Sequence, residues 1–363
     1  MACINSLKIS GLRNLNEQAF NPSSRLNLIF GENGSGKTSI LEAIYLLGLG
    51  RSFRTSQVSS LVNRESDQSV LFAELEDGTS IGLMRGSRKD DLIKINGKKA
   101  INNSQLARHL PVQLLNADAF KLLEGSPKTR RHFLDWGVFH VKHQYHEIWK
   151  SFQKCLLNRN ALLKEKAPLA SLEPWTKELS RLGNEMDICR AGYFEQYKVH
   201  LAGLTASLLG QADLEIDYYR GWKKDESLAE VFKYTLDRDL QYGYTTAGPQ
   251  RADIKIKVGQ QYASDVLSRG QQKLLVTGLK IAQGIFLESA TSQTPLFLID
   301  DLPSELDLQN RQKVCALLAG LKSQTFITGI DQYELEKSVE GLDYSINERK
   351  LFHVERGKIT YLE

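Results

Sequence analysis

The sequence predicts an α/β fold, a head of mixed sheet and helix interrupted by a helical insertion. Three observations carry that expectation. The compact apolar run Leu26–Phe30 leads directly into a glycine-rich turn and then into a helical pattern. Between about residues 126 and 208 the apolar period changes from two to about three and a half. Strand-like and helical stretches then alternate from Leu214 onward, the pattern of an α/β domain.

Taken in order, alternating apolar residues predict strands over Ile4–Ile9 and Leu26–Phe30, and a helix follows from Lys37 to Leu47. Residues 70–100 carry short strands punctuated by Asp77-Gly78 and Asn96-Gly97. These dipeptides supply the positive φ of tight hairpins, so a small antiparallel subdomain is expected. After Ser126-Pro127, the residues Ile148, Phe152, Leu156 and Leu163 mark one helix face. The stretch from Ala167-Pro168 to Pro174 reads as a break, and spacings of three and four from Trp175 through Met186 and Tyr193 to Leu208 predict a long second helix. Strands at Leu214–Tyr218 and Ile254–Val258 bracket a helical stretch over 227–241. Then come a helix over 268–286, a strand Leu296–Ile299, a helix over 306–318, a strand Thr325–Thr328 and a closing hairpin around Arg356-Gly357. The expected division is a head of 1–120 and 245–363 with an arm of 121–244.

Composition excludes several classes of function. With 363 residues the chain holds roughly two domains, and 41% hydrophobic against 25% charged residues is the globular average rather than the disordered regime. Forty-seven Lys and Arg against 43 Asp and Glu leave a formal charge of +4, which identifies no partner by itself. Cys3, Cys155, Cys189 and Cys315 form no CxxC pair, arguing against a disulfide framework, a zinc hook or a redox motif. No apolar run approaches the length of a membrane span. A soluble, cytoplasmic, unprocessed protein with no membrane partner is expected.

Gly31-Glu32-Asn33-Gly34-Ser35-Gly36-Lys37-Thr38 matches GxxxxGK[ST] in its required strand-to-helix context. Glycines let successive N–H groups curl around phosphate oxygens. Lys37 neutralises the β and γ phosphates, and the Thr38 hydroxyl can ligate Mg²⁺. ATP and Mg²⁺ are therefore the expected cofactors. Such a loop needs a carboxylate at the end of a nearby strand, and Leu296–Ile299 ends in Asp300-Asp301. Asp300 is the metal-side residue, acting through water. Asp301, with Lys37, is the catalytic candidate that orients the attacking water.

Upstream, Leu267-Ser268-Arg269-Gly270-Gln271-Gln272 opens a helix where N–H groups and a hydroxyl can meet an anion. With Ser304-Glu305-Leu306-Asp307 after the paired aspartates, the order resembles the signature and D-loop of ABC ATPases. That resemblance implies an ABC-type P-loop ATPase head in which the signature of one subunit contacts the γ-phosphate held by the other, so that ATP joins a homodimer. Thr38 and Ser268 lie 230 residues apart, more than a compact ABC head needs. The helix pair fills the gap as a short coiled-coil-like arm of at most some 60 Å at about 45 residues per helix, too short for SMC proteins.

With Gly11-Leu12-Arg13-Asn14, Gly50-Arg51-Ser52-Phe53-Arg54-Thr55, Gly125-Ser126-Pro127 and Gly248-Pro249-Gln250-Arg251 added, the chain resembles the RecF family of bacterial recombination mediators over nearly its full length. The resemblance implies slow ATP hydrolysis, binding of single-stranded and gapped double-stranded DNA, and cooperation with RecR and RecO to load RecA in repair, replication restart and the SOS response. It marks Arg13, Arg51 and Arg54 as cations for nucleotide contact and Gln113 as a Q-loop residue. Two departures stand out: no switch histidine follows Thr325–Thr328, and Gln250 stands where many members of that family have His. A transport-coupled ABC subunit and a nucleotide-gated scaffold with a vestigial ATPase are the rival readings.

Charge is polarised locally. Residues 128–166 hold nine Lys or Arg against three acids, and residues 85–99 hold six against two. Both clusters are candidates for phosphate-backbone contact. Neither a helix-turn-helix, a zinc finger nor an aromatic stacking platform is visible, so binding without sequence specificity is expected.

Overall fold

The computed structural model describes residues 2–86, 91–210 and 213–362, and its packing divides them into two compact units. The first comprises residues 1–119 and 273–363, the second residues 120–272. Residues 245–272, expected with the head, pack instead with the helical unit. The reason is strand pairing: Asp253–Val258 lies antiparallel to Leu214–Tyr219, in register from Asp253 opposite Tyr219 to Val258 opposite Leu214.

The first unit contains two six-stranded sheets. One is antiparallel and contains Ile4–Ser10, Gln68–Leu75 and Ser80–Gly86, with turns at Asp77-Gly78 and Asn96-Gly97 as the sequence predicts. In the other, Arg349–Glu355, Leu26–Phe30, Thr325–Gly329, Leu296–Ile299 and Val112–Leu115 run parallel in that spatial order. Lys358–Leu362 closes its edge as a hairpin. The strand Val112–Leu115 has no counterpart among the expected elements, because its four residues follow a short helix with no alternation to announce them.

The helix Lys37–Leu49 is buried on nearly every side, and residues of both sheets join it in one core. Its sequence explains this: Ile40, Leu41, Ile44, Leu46 and Leu47 surround the axis rather than forming a stripe, the mark of a helix enclosed by other elements. Each such side chain contributes about 2 kcal/mol on burial. Parallel strands buried on both faces likewise read as unbroken apolar runs, as in Leu296–Ile299.

In the second unit the arm consists of helices Pro127–Val141, Tyr145–Lys164 and Leu169–Leu209. The last has 41 residues, about 60 Å. It begins at Leu169, so the expected break reaching Pro174 does not occur. Pro174 and Ala170 are both exposed, and the carbonyl that loses its N–H partner faces water. The helical stretch over 227–241 is two helices, Leu228–Tyr234 and Leu236–Tyr242, meeting at Thr235. No described helix is long and apolar enough to cross a membrane.

Candidate nucleotide-binding site

At the carboxyl end of the parallel strands the chain turns through Gly31, at φ +150°, and Gly36, at φ +123°. A Cβ on Gly31 would stand 2.1 Å from the Val354 carbonyl oxygen, so only glycine fits there. Two neighbours brace the loop. Gly357, in the turn of the closing hairpin, donates its N–H to Ser35 O at 2.8 Å, and Asn14 Nδ2 donates to Gly34 O at 2.9 Å. The cleft beside it is about 730 Å³, the size of a ligand pocket. Asn33, Gly34, Gly36, Lys37, Thr38, Arg13, Arg54, Asp300 and Asp301 all line it.

Lys37 is buried, and its Nζ donates to Gly31 O at 2.7 Å and Glu32 O at 2.9 Å. Burial lowers its pKa, while Asp301 and then Asp300 pull it back up. Asp300 accepts the Thr38 hydroxyl at 3.0 Å and the Thr328 hydroxyl at 2.9 Å. Burial raises its carboxyl above the ordinary range, and those two hydrogen bonds oppose the rise. Asp301 adopts left-handed backbone, φ +53°, and its Oδ1 is buried with no hydrogen-bond partner among the described residues. A non-glycine residue held in that conformation, with an unsatisfied buried oxygen, carries strain of the kind that collects at functional sites.

Thr38 Oγ1 and the Asp300 carboxylate form an oxygen-only donor set. That set suits a hard divalent cation such as Mg²⁺. The described residues contain no cluster of three His, Cys, Asp or Glu side chains that could hold a metal ion; an ion held by Thr38 and Asp300 would take its remaining ligands from phosphate and water.

Three residues at this site escaped the sequence reading as functional side chains. Thr328 joins the two aspartates, donating to Asp300 and accepting the Asp301 N–H at 2.8 Å. Asn14 also accepts the Ser39 hydroxyl at 3.0 Å. Glu42, fully buried on the helix Lys37–Leu49, accepts from Arg13 Nε and Nη2 at 2.9 Å each and from the Ser52 hydroxyl, and forms an ion pair with Arg54 at 3.5 Å. A glutamate inside an apolar helix pattern is the one signal in the sequence that pointed to it.

Not every candidate reaches the cleft. Gln113 is buried in mid-strand and donates to Gln283 Oε1 at 3.0 Å, so it is a core residue here rather than a cleft residue. Arg51 is not among the cleft-lining side chains, and its charge acts on the Tyr45 hydroxyl, lowering a pKa that burial raises. Asp307 caps the helix Leu308–Ala319 by accepting the Asn310 N–H at 2.9 Å.

At the end of the second unit, Ser268 and Gln271 satisfy each other's backbone N–H groups as a capping box, Ser268 N–H to Gln271 Oε1 at 3.0 Å and Gln271 N–H to Ser268 Oγ at 3.3 Å, where a helix begins at Arg269. Arg269 pairs with Glu124. Ser268, Arg269, Gly270 and Gln271 are all exposed.

The basic segments are only partly free. Arg130 makes a bidentate pair with Asp253, Arg131 donates to Ala252 O, and Arg159 is buried against Asp239. Lys128, Lys150, Lys154, Lys164 and Lys166 are exposed. In the other segment Lys94, Lys98 and Lys99 are exposed and Arg85 is buried, whereas Arg88, Lys89 and Asp90 lie outside the described residues.

A family model described as RecF/RecN/SMC N terminal domain matches residues 3–351. DNA replication and repair protein RecF of Pseudomonas fluorescens is 43% identical over 362 residues, covering 98% of each chain. The protein of the same name from Pseudomonas aeruginosa is 44% identical over 359 residues, 98% of this chain and 96% of that one. The solved structure of the recombination mediator protein RecF with ATP, in the RecFOR pathway, has a TM-score of 0.86 at 27% identity, covering 99% of this chain and 98% of that one. The Smc head of Pyrococcus furiosus bound to the C-terminal domain of ScpA has a TM-score of 0.60 at 17% identity, a likeness of fold, over 99% of this chain and 96% of that one. The chain therefore belongs to the RecF family, with the fold of an ABC-type ATPase head and a helical insertion.

Proposed function

We propose that this chain is an ATP-operated, DNA-binding recombination mediator of the cytoplasm and nucleoid. ATP joins two copies, the pair holds single-stranded or gapped double-stranded DNA, and slow DNA-stimulated hydrolysis releases it. Together with RecR and RecO it promotes RecA loading in repair, replication restart and SOS induction. The observation that carries this reading is the linked set Lys37, Thr38, Asp300, Asp301 and Thr328 around one cleft in a RecF-family chain. The intact set favours turnover over a vestigial scaffold.

Lys37 and the N–H groups of residues 33–38 bind and orient the triphosphate, as the start of a helix does for an anion. Thr38 and Asp300 hold Mg²⁺, which when bound supplies charge neutralisation at the phosphates. Asp301 orients the attacking water and accepts its proton. Ser268, Gly270 and Gln271 of a second copy fit the far side of the γ-phosphate. Exposure of the signature residues on a single chain supports this assignment.

Sedimentation of the chain with ATP, with ADP and without nucleotide tests the reading. ATP alone is expected to double the mass, and Ser268→Arg is expected to abolish the doubling. A monomer under saturating ATP, with DNA affinity indifferent to ATP, refutes it.

A further inference from the structure

The helix Leu236–Tyr242 ends at Gly243, whose φ of +71° turns the chain so that Tyr242 and Tyr244 lie side by side. Their ring centroids are 5.8 Å apart and their planes within 16° of parallel. Both are exposed, at 55% and 41%. The Arg251 guanidinium lies over the Tyr244 ring at 5.3 Å. Arg238, one helical turn before Tyr242, is exposed, and Lys164 Cα packs 3.5 Å from where a Cβ on Gly243 would stand. Two tyrosines two residues apart look like ordinary surface residues in the sequence, and the left-handed turn between them is what makes them a stack.

The loop beneath the rings is locked. Arg159 and Asp239, both without exposed surface, pair at 2.9 Å. Arg159 also donates to Thr245 Oγ1 at 2.6 Å, and Asp239 Oδ1 accepts the Thr246 N–H at 2.9 Å and its hydroxyl at 2.6 Å. Asn160 Oδ1 accepts the Thr245 N–H at 2.8 Å, and Gln250 Nε2 closes the turn on Ala247 O at 2.7 Å. A buried ion pair is costly to desolvate, and here it fixes the backbone that presents two water-facing aromatic rings.

We infer that Tyr242, Tyr244 and Arg251 form a stacking platform for unstacked bases of single-stranded DNA, with Arg238 and Lys164 beside its phosphates. The inference rests on the DNA-binding reading above and deepens it by naming where the single strand sits. Every base has a π-face, so such a platform accepts any sequence, and the guanidinium adds a cation–π contact. A blunt duplex keeps its bases stacked on one another and offers the rings nothing along its length.

The test uses the full chain with ATP and Mg²⁺ and compares a fluorescein-labelled oligothymidylate with a blunt duplex by anisotropy. The double substitution Tyr242→Ala with Tyr244→Ala is expected to weaken single-strand binding by about tenfold or more and to leave duplex binding within about twofold. Tyr242→Phe with Tyr244→Phe keeps both. Irradiation of the unsubstituted chain with an iodouracil-containing single strand is expected to cross-link within residues 242–251, a readout that does not depend on a variant folding. The platform is overturned by unchanged single-strand affinity, by equal loss on both ligands, by cross-links confined to other segments, or by alanine variants that alter self-association instead. If the unsubstituted chain binds the duplex and not the single strand, the platform alone is overturned; if it binds neither, nor a gapped duplex, the DNA-binding reading falls with it.

Discussion

The Thr328 hydroxyl donates to Asp300 Oδ1 at 2.9 Å while its oxygen accepts the Asp301 N–H at 2.8 Å, so one side chain sets the positions of both aspartates. Among the causes that lower the Asp300 pKa against burial, the Thr328 hydrogen bond is the largest. Thr328→Val removes it, and the carboxyl rises further. The acid limb of the ATPase pH profile then moves to higher pH, and the rate at neutral pH drops by about tenfold, the worth of one hydrogen bond to a charged group. Thr328→Ser restores the profile; superimposable profiles for the Val variant and the unsubstituted chain would remove the assigned role.

The paired aspartates should also trade stability for chemistry. A carboxyl whose folded pKa is raised makes folding harder in its ionised form. That cost is complete above the folded pKa and disappears as pH falls through it. Asp300→Asn is therefore expected to raise the melting temperature of the nucleotide-free protein at neutral pH by roughly 1–3 °C while abolishing Mg²⁺-dependent turnover. Asp301→Gly relieves a left-handed, non-glycine position and removes an orphaned oxygen, for a gain of about 1 kcal/mol in chemical denaturation. Asp301→Asn isolates the chemistry, with ATP binding retained and turnover lost. Equal turnover in Asp301→Asn and the unsubstituted chain refutes its role.

Glu42 is the counter-charge for two arginines that face the cleft. Removing one partner of a buried pair strands the other, so Glu42→Ala is expected to cost about 3 kcal/mol of folding stability. ATP affinity should fall as well, because Arg13 and Arg54 lose their anchor. Arg54 is itself half exposed, so Arg54→Ala should leave stability nearly unchanged and weaken ATP binding alone. Denaturant titration and isothermal titration with ATP separate the two effects; an Arg54→Ala variant less stable than Glu42→Ala contradicts this account.

Lys37 makes ATP binding sensitive to alkali. Its pKa is lowered chiefly by burial, so the free protein loses the ammonium charge at lower pH than an ordinary lysine does. The sign for stability follows: the charged form is penalised in the fold, and that penalty lifts as pH rises through the folded pKa. For binding the sign is opposite, since phosphate favours the protonated form. The logarithm of ATP affinity should therefore fall with unit slope beginning below the lysine value of 10.5, within a range where the fold is intact by circular dichroism. A flat profile to that pH would show that the ammonium does not hold the phosphates.

The elements that position the phosphate loop were legible because buried parallel strands and their helix are written as apolar runs ending in glycine, as Leu26–Phe30 and Gly31–Thr38 show. What surrounds the loop was less so. Thr328, Asn14 and Glu42 act through partners 28, 20 and 29 residues away, and no local pattern records which side chain will meet which in the fold. Gln113 failed for the complementary reason. A lone glutamine carries no sign of direction, and the pairing of its strand with Leu296–Ile299 turns it to Gln283 in the core. Local charge counts misled in the same way, since they treat every arginine as free.

That distinction yields a division between cations that hold the arm and cations that can meet DNA. Arg159 is buried on Asp239, and Arg130 is forked onto Asp253, so neither has charge to offer a phosphate. Lys150 and Lys154 are exposed on one face of the helix Tyr145–Lys164, a single turn apart. Arg159→Ala is expected to destabilise the chain by about 3–5 kcal/mol, since it leaves Asp239 buried and unpaired. Lys150→Ala with Lys154→Ala should leave melting unchanged and reduce the slope of log affinity for gapped duplex against log salt by about two, nearly one for each phosphate no longer neutralised. An unchanged slope in the double lysine variant would place the DNA on another face of the molecule, and an Arg159→Ala protein of normal stability would mean that the buried pair does not hold the loop it underlies.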